Sequence, residues 1–325
     1  RPKAGCGPLG GQGVTRSARP WGPNQSSSLP PSNPPSRLPP AKPPSSEPSS
    51  LEPPRWGAAA KIREAGGIAV PVDVFDRDQL IEAMTQASPD VVVNQLTSLP
   101  ARFEPKKKGF YDANNRIRSE GGDNVIEATA ASGAGRLVTQ SISFLYELSG
   151  PKIKAEEEPV DRSGVHDAVL GHEKKALEDD RFETVVLRYG LLYGPDTWYA
   201  RDGHLAEEVR KRKLPIVGGG AGVTSFLHVE DAASAAIAAL EKGSGIYNVT
   251  DDDPAPMSEW IPVYAEALGA KPPRKVPFWL ASMVAGKPIA MQATKGRGAS
   301  NAKFNHQTGW SPSIPSWRQG FFEAI

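Results

Sequence analysis

The chain has 325 residues, with 38 Lys and Arg against 37 Asp and Glu, and 38% of its residues are hydrophobic. That length admits one sizeable core with a smaller lobe, and a net charge of +1 excludes a dedicated nucleic-acid surface, which shows as a basic excess. A single cysteine, Cys6, excludes an intramolecular disulfide and a cysteine zinc cluster and points to a reducing, cytoplasmic setting, while the apolar run FWLASMVAG is too short to span a bilayer.

Residues 1–56 differ in texture from the remainder. About half of the 32 prolines lie there, serines are frequent and no acidic residue precedes Glu47. Such a segment cannot bury enough apolar surface to offset its chain entropy, which predicts disorder or extended polyproline structure. Within it Gly5, Gly7 and Gly10 spell GxGxxG, the spacing that lets a pyrophosphate approach a helix amino terminus. Only four residues precede it and GQGVTRSARPWGP follows, so neither a strand nor a helix frames it, and it reads as glycine-rich coil.

From Gly57 onward the pattern becomes regular. AAAKIREAGG predicts a short helix with a glycine stop, and IAVPVDVFD a strand. Asp76 stands three residues before Gln79, like a capping box, and Leu80, Ile81 and Met84 give the following helix an apolar stripe. DVVVNQLTSLP reads as a buried strand, residues 119–132 as a helix with Val125, Ile126 and Ala130 on one face, and RLVTQSISF as a further strand. Residues 166–180 form a polar-faced helix. VVLRYGLLYGP is then a buried strand that breaks at Gly190 and again at Gly194 and Pro195, delivering a loop to a sheet's carboxyl edge. FLHVEDAASAAIAALEKG predicts a strand and an alanine-rich helix, GIYNVTD another strand, and Ser258 the cap of EWIPVYAEALG. Residues 196–225 and 270–310 read as loop-rich excursions forming a substrate-facing lobe. Strands alternating with helices imply βαβ units, a parallel sheet and right-handed crossovers.

These segments together resemble the extended, atypical short-chain dehydrogenase/reductase family, also described as NAD-dependent epimerase/dehydratases. The resemblance covers residues 57–325 and rests on VDVFD, DVVVNQLTSLP, LVTQSISFLY, LRYGLLYGP, SFLHVEDAASA, GIYNVTDD and RGASNAKFNHQTGWSP in that order. It implies a Rossmann-type parallel sheet in residues 57–195, interleaved last strands and a small substrate lobe in residues 196–325, and NAD or NADP as cofactor. It implies further a small hydroxyl or carbonyl substrate, sugar-derived in some members, while the near-neutral charge, the short apolar runs and the absence of spaced ligand residues point to no nucleic-acid partner, no membrane partner and no metal. A homodimer would pair through the helices at 119–132 and 166–180.

The chain departs from the family at two places. The first βαβ unit, which would seat the cofactor's pyrophosphate, should fall where the proline-rich segment lies. The tyrosine that serves as general acid/base four residues before a lysine is also missing: none of the seven tyrosines has a lysine four residues on. Aligned on HEKKALE, Lys174 takes the lysine position and Leu170 the tyrosine position. A non-catalytic dinucleotide sensor and an inactive, truncated member therefore stand beside the enzymatic reading.

By the same resemblance Ser141 and Ser143 fall where the substrate-polarising serine lies, with strand-end capping as the alternative. Lys174 would orient the nicotinamide ribose. His172 is a candidate proton carrier, unless it sits on the solvent face of a charged helix. Asp73 and Val74 would contact the adenine edge, Leu96, Thr97 and Ser98 would pass beneath the ribose and pyrophosphate, and Arg188, Tyr189 and Tyr193 would line the nicotinamide end. Core packing is the competing role for both tyrosines.

Overall fold

The computed structural model describes residues 55–325, so the glycine-rich motif of Gly5, Gly7 and Gly10 lies outside the described residues. In chain order the strands are β1 (Val91–Asn94), β2 (Arg136–Ile142), β3 (Ile153–Lys154), β4 (Glu183–Tyr189), β5 (Leu191–Tyr193) and β6 (Ile216–Val217). There follow β7 (Val223–Thr224), β8 (Phe226–His228), β9 (Gly245–Val249), β10 (Ala255–Pro256), β11 (Lys275–Val276) and β12 (Gly298–Ala299). The first helices are α1 (Arg55–Glu64), α2 (Arg77–Ala87), α3 (Asp112–Arg116), α4 (Gly122–Ser132), α5 (Asp167–Glu178) and α6 (His204–Arg210). The later ones are α7 (Val229–Ala238), α8 (Met257–Ala267), α9 (Phe278–Val284), α10 (Lys287–Lys295), α11 (Ala302–Thr308) and α12 (Trp317–Glu323).

The central sheet is wholly parallel, in the order β1-β2-β4-β9. Alternation along its strands sorts side chains onto two faces. Leu137 and Val92 meet Leu80 of α2, Val125 and Ile126 of α4 and Ala176 of α5 on one face. Val138, Val185, Leu187 and Tyr247 meet Ala232 and Ala235 of α7 and Phe304 of α11 on the other. Both faces are covered, which is why the strands read as nearly continuous apolar runs.

The break after Tyr189 falls as expected. Gly190 approaches the Ser225 and Phe226 carbonyl oxygens so closely that a Cβ would lie 2.9 Å from each, and the chain resumes as β5, parallel to β8. Beyond it the lobe packs an aromatic core in which Tyr193, Tyr199, Phe226, Trp260, Tyr264, Trp317 and Phe321 are all buried. The stretches 196–225 and 270–310 carry four helices and short paired strands, not plain loops.

Four local expectations are corrected. IAVPVDVFD forms no strand: Ile68 is 90% exposed, and no ladder partner stands beside the segment among the described residues, so its β-branched residues have nothing to pair with. The outer edge of β1 is likewise unpaired among the described residues, and Val93 is exposed, not buried. Ser258 lies inside α8, whose cap is Pro256. The helix expected at 119–132 begins earlier, running from Asp112 through one π-helical turn, Ile117–Gly121, into α4. The cap of α2 stands, with Asp76 Oδ1 accepting from the Gln79 N–H at 3.1 Å.

Candidate functional site at the carboxyl edge of the sheet

Strands β2, β4 and β9 end side by side, and register places one polar residue of each in a row. Ser141 pairs with Arg188, and Arg188 with Asn248, on the face that α5 covers. Glu173 of α5 closes onto this row. Its carboxylate accepts from Ser141 Oγ, from Arg188 Nε at 2.9 Å and from Arg188 Nη2 at 2.6 Å. Arg188 Nη1 donates to Tyr146 Oη at 3.0 Å, and Tyr146 Oη donates to Asn248 Oδ1 at 2.7 Å. All five residues are buried. Burial pulls the Arg188 guanidinium down, but its hydrogen bonds to Glu173 and that carboxylate's charge outweigh it and hold Arg188 above its ordinary value. Burial also raises the Tyr146 phenol, against the downward pull of Arg188.

His172 belongs to the same buried face. Its Nε2 lies 2.8 Å from Thr139 Oγ1 and 3.5 Å from Asn94 Nδ2, while Nδ1 is buried with no partner among the described residues. Burial, helped by the charge of Arg118, holds the imidazole down at about 4. The expectation of a solvent-facing His172 is thus overturned, and the pattern explains why. Val169, His172, Glu173 and Ala176 are buried together, the i, i+3, i+4, i+7 stripe of an amphipathic helix. Val169 and Ala176 bracket the two polar residues and were the signal that placed them inward. Asn248, Asn94 and Thr139 carried no such signal, because only strand register brings them to the row.

Lys174 stands on the opposite side of α5. Its side chain is 71% exposed and its nearest carboxylate is Glu178, at 3.9 Å. Leu170, at the position of the family tyrosine, packs with Leu145, Tyr146 and Val169. Arg188 and Tyr193 are both buried: Arg188 is held in the ion pair, and Tyr193 packs edge-on against Phe226, His228 and Phe321. Tyr189 is also buried, its hydroxyl accepting from Gln95 Nε2 at 3.1 Å, and burial raises it to about 12. Core packing therefore accounts for the two tyrosines, and the buried ion pair with Glu173 for Arg188.

Ser143 differs from Ser141. Its backbone N–H donates to the Tyr189 carbonyl at 2.8 Å, and no hydrogen bond of its hydroxyl is found among the described residues. Leu96, Thr97 and Ser98 lie just past the end of β1. Gln140 of β2 reaches the Leu96 carbonyl at 2.7 Å, while the Thr97 hydroxyl and the Ser98 N–H both donate to Asn114 Oδ1 at 3.1 Å. Asp73 closes a local turn by accepting from the Phe75 N–H at 3.0 Å, and the Val74 carbonyl accepts from Asn124 Nδ2 at 2.9 Å. The structure thus gathers Ser141, Ser143, Arg188 and Tyr189 at one edge with the 96–98 turn nearby, and leaves Lys174 apart. His204, Glu207 and Glu208 of α6 bring ligand atoms within 4.8 Å of one another, but Phe103 N–H already engages the imidazole and Arg102 engages Glu207.

A parallel, two-face-covered sheet with its polar row at the carboxyl edge defines a Rossmann-type α/β protein, the class that binds ligands outside that edge. A family model described as the NAD dependent epimerase/dehydratase family matches residues 49–250, and the chain belongs to this family. It is 44% identical over 270 residues to the 3-diazoavenalumate denitrifying reductase of a Streptomyces species, covering 81% of this chain and 88% of that protein. It is 30% identical over 203 residues to the 2-alkyl-3-oxoalkanoate reductase of Stenotrophomonas maltophilia, covering 57% of this chain and 61% of that protein. The fold also matches the dTDP-glucose 4,6-dehydratase DesIV of Streptomyces venezuelae, solved with NAD. The TM-score is 0.66 at 17% identity, over 83% of this chain and 82% of that one.

The residues present fit one half of such a cofactor. The unengaged Ser143 hydroxyl and the 96–98 turn offer polar groups at the edge where the ribose and nicotinamide would lie. A glycine-rich turn from a strand into a helix, the seat for a pyrophosphate, is not found among the described residues.

Proposed function

We propose that the chain is an NAD(P)H-dependent reductase of a small organic acid. In this reading residues 57–195 serve the cofactor and residues 196–325 the substrate, and the enzyme works in the cytoplasm. The observation that carries the reading is position 170, where a leucine in an apolar cluster stands in place of the family's proton-carrying tyrosine. When bound, the nicotinamide supplies hydride.

Reduction of a carbonyl then needs a proton for the resulting alkoxide. Leu170 has none to give, and His172 is neutral at physiological pH and buried away from solvent. Reductive denitrification, for which the Streptomyces relative is named, has a different balance. A new C–H bond replaces the C–N bond of the diazonium form, N2 departs with its bonding pair, and no proton is drawn from the protein. Loss of the tyrosine costs such a reaction nothing. Arg188, Glu173 and Tyr146 keep the sheet edge rigid, and Ser143 orients the acceptor through its hydroxyl.

A second reading is favoured by Ser143 itself. An unengaged hydroxyl at this edge suits polarisation of a carbonyl oxygen, and the Stenotrophomonas relative is named for a 3-oxoalkanoate. Solvent would then deliver the proton. The test is turnover of NADH and NADPH with an aryldiazonium carboxylate and with a 3-oxoalkanoate, followed by nicotinamide absorbance and by N2 release. Turnover on the first acceptor alone supports the main reading, turnover on the second alone the other. Binding of either dinucleotide without turnover selects a non-catalytic sensor.

A further inference from the structure

An open cleft of about 500 Å³ lies where the loop after β2 meets the lobe. Three of its lining side chains, Lys152, Lys295 and Arg297, are cationic and none is acidic. Leu148, Ala221 and Met291 supply apolar wall. Its volume lies within the range of small-molecule sites. Among the described residues none of the three cations has an ion-pair partner, and Arg297 Nε is buried without a hydrogen bond. Of the carboxylates beside the loop, Glu147 accepts from the Ser149 hydroxyl at 3.1 Å and Glu158 from Lys154 Nζ at 3.3 Å.

The cleft is built by the fold, not by long side chains meeting in solvent. Strands β3 and β12 pair in parallel with Gly298 opposite Ile153, so Lys152 and Arg297, the residues just before each, come side by side. The Gly298 N–H fixes this by donating to the Lys152 carbonyl at 3.0 Å. Lys154, 1% exposed, donates to the Ser149 carbonyl at 2.7 Å and so pins the facing wall. Gly222 packs so tightly that a Cβ would lie 2.8 Å from the Ala293 carbonyl oxygen, locking the 221 turn onto the end of α10.

Three uncompensated cations beside apolar wall raise the local potential and favour an organic anion. We propose that this cleft holds the carboxylate of the substrate, with Arg297 as its principal donor and Lys152 and Lys295 as flanking charges. A planar guanidinium matches a carboxylate's two oxygens, and the apolar residues take the adjoining carbon skeleton. The inference rests on the reductase reading above and names the substrate's anchoring group. The cleft is built from the lobe and the loop after β2, not from the 96–98 turn on the cofactor side, which separates it from a cofactor-phosphate site.

The test uses the full chain and four probes: 4-hydroxycinnamate, its methyl ester, inorganic phosphate, and NADPH compared with NADH, each followed by titration calorimetry. The acid is expected to bind, and the ester about tenfold more weakly, the size of one charge-assisted hydrogen bond. Arg297→Gln and Lys295→Gln should each weaken the acid about tenfold, leaving the ester and both dinucleotides unchanged. Lys152 and Lys295 are exposed, so K152Q and K295Q keep the test valid should R297Q fail to fold. Absent binding of the acid, equal affinity for acid and ester, or wild-type affinity in the K152Q/K295Q pair overturns the proposal. So does loss of NADPH affinity in the variants together with displacement of the acid by phosphate, which would make the cleft a nucleotide site. Failure of the reductase reading would appear separately, as wild-type chain that binds neither NADH nor NADPH.

Discussion

Glu173 and Arg188 form a two-pronged ion pair inside the protein, with each side chain 4% exposed. Removing one partner leaves the other buried and uncompensated, which typically costs about 3–5 kcal/mol. Glu173→Gln and Arg188→Met should each lower unfolding stability by about that amount, read from urea denaturation. The double variant should be less destabilised than the sum of the two, because it removes both charges together.

The two edge serines should separate by readout. Ser141→Ala removes a donor from the Glu173 network and should show chiefly as lost stability, about 1–2 kcal/mol. Ser143→Ala removes a hydroxyl with no protein partner among the described residues. Its stability should stay within about 0.5 kcal/mol of wild type while turnover falls about 100-fold if the hydroxyl polarises substrate. Steady-state kinetics and denaturation on the same preparations check both.

Lys174→Ala should leave stability nearly unchanged, since an exposed pair at 3.9 Å contributes little. Turnover within about twofold of wild type would agree with its outward position, and a large loss in kcat would return it to the site.

His172 and Asp251 should bend the pH profile in opposite senses. Burial holds His172 at about 4, below its unfolded value near 6.5, so the unfolded chain binds the extra proton between these pH values. Stability from this group is full above about pH 6.5 and falls by about 3 kcal/mol as pH drops toward 4. Burial raises Asp251 to about 8 despite donors from Trp317 and Asp253, so the folded chain holds its proton longer. That contribution is full near pH 4 and is lost as pH rises toward 8. Stability measured against pH for His172→Asn and Asp251→Asn, each subtracted from wild type, should show slopes of opposite sign.

Gly320 of α12 lies against Tyr193, where a Cβ would overlap the phenol oxygen, which is itself buried without a partner. Gly320→Ala, ordinarily favourable in a helix by about 1 kcal/mol, should here destabilise by about 1–3 kcal/mol. Tyr193→Phe removes the unsatisfied hydroxyl and the closest overlap but leaves ring carbons Cε2 and Cζ 2.5 and 2.6 Å from the added Cβ, so it should rescue G320A only in part in thermal denaturation.

Much of the fold was legible because its strands are buried on both faces and punctuated by glycines. The break at Gly190, the cap at Asp76 and the order of helices and strands all follow from residues adjacent in sequence. IAVPVDVFD failed because strand formation needs a neighbour, which composition cannot supply. The site was harder for the same reason. Ser141, Arg188 and Asn248 are separated by tens of residues and meet only through register, so no local pattern announces the row. Glu173 and His172 were readable from the stripe set by Val169 and Ala176, but the adjoining charges of Lys174 and Lys175 masked it.

The register between β4 and β9 also determines how the gene can be divided. Texture changes at residue 195, which invites a cut there, yet β4 is clasped by β2 from before that point and by β9 from after it. An N-terminal fragment ending at 195 would present Val185, Leu187 and Tyr189 along a bare strand edge, a template for aggregation. The two halves should therefore become soluble only when produced together, as complementing fragments of one sheet.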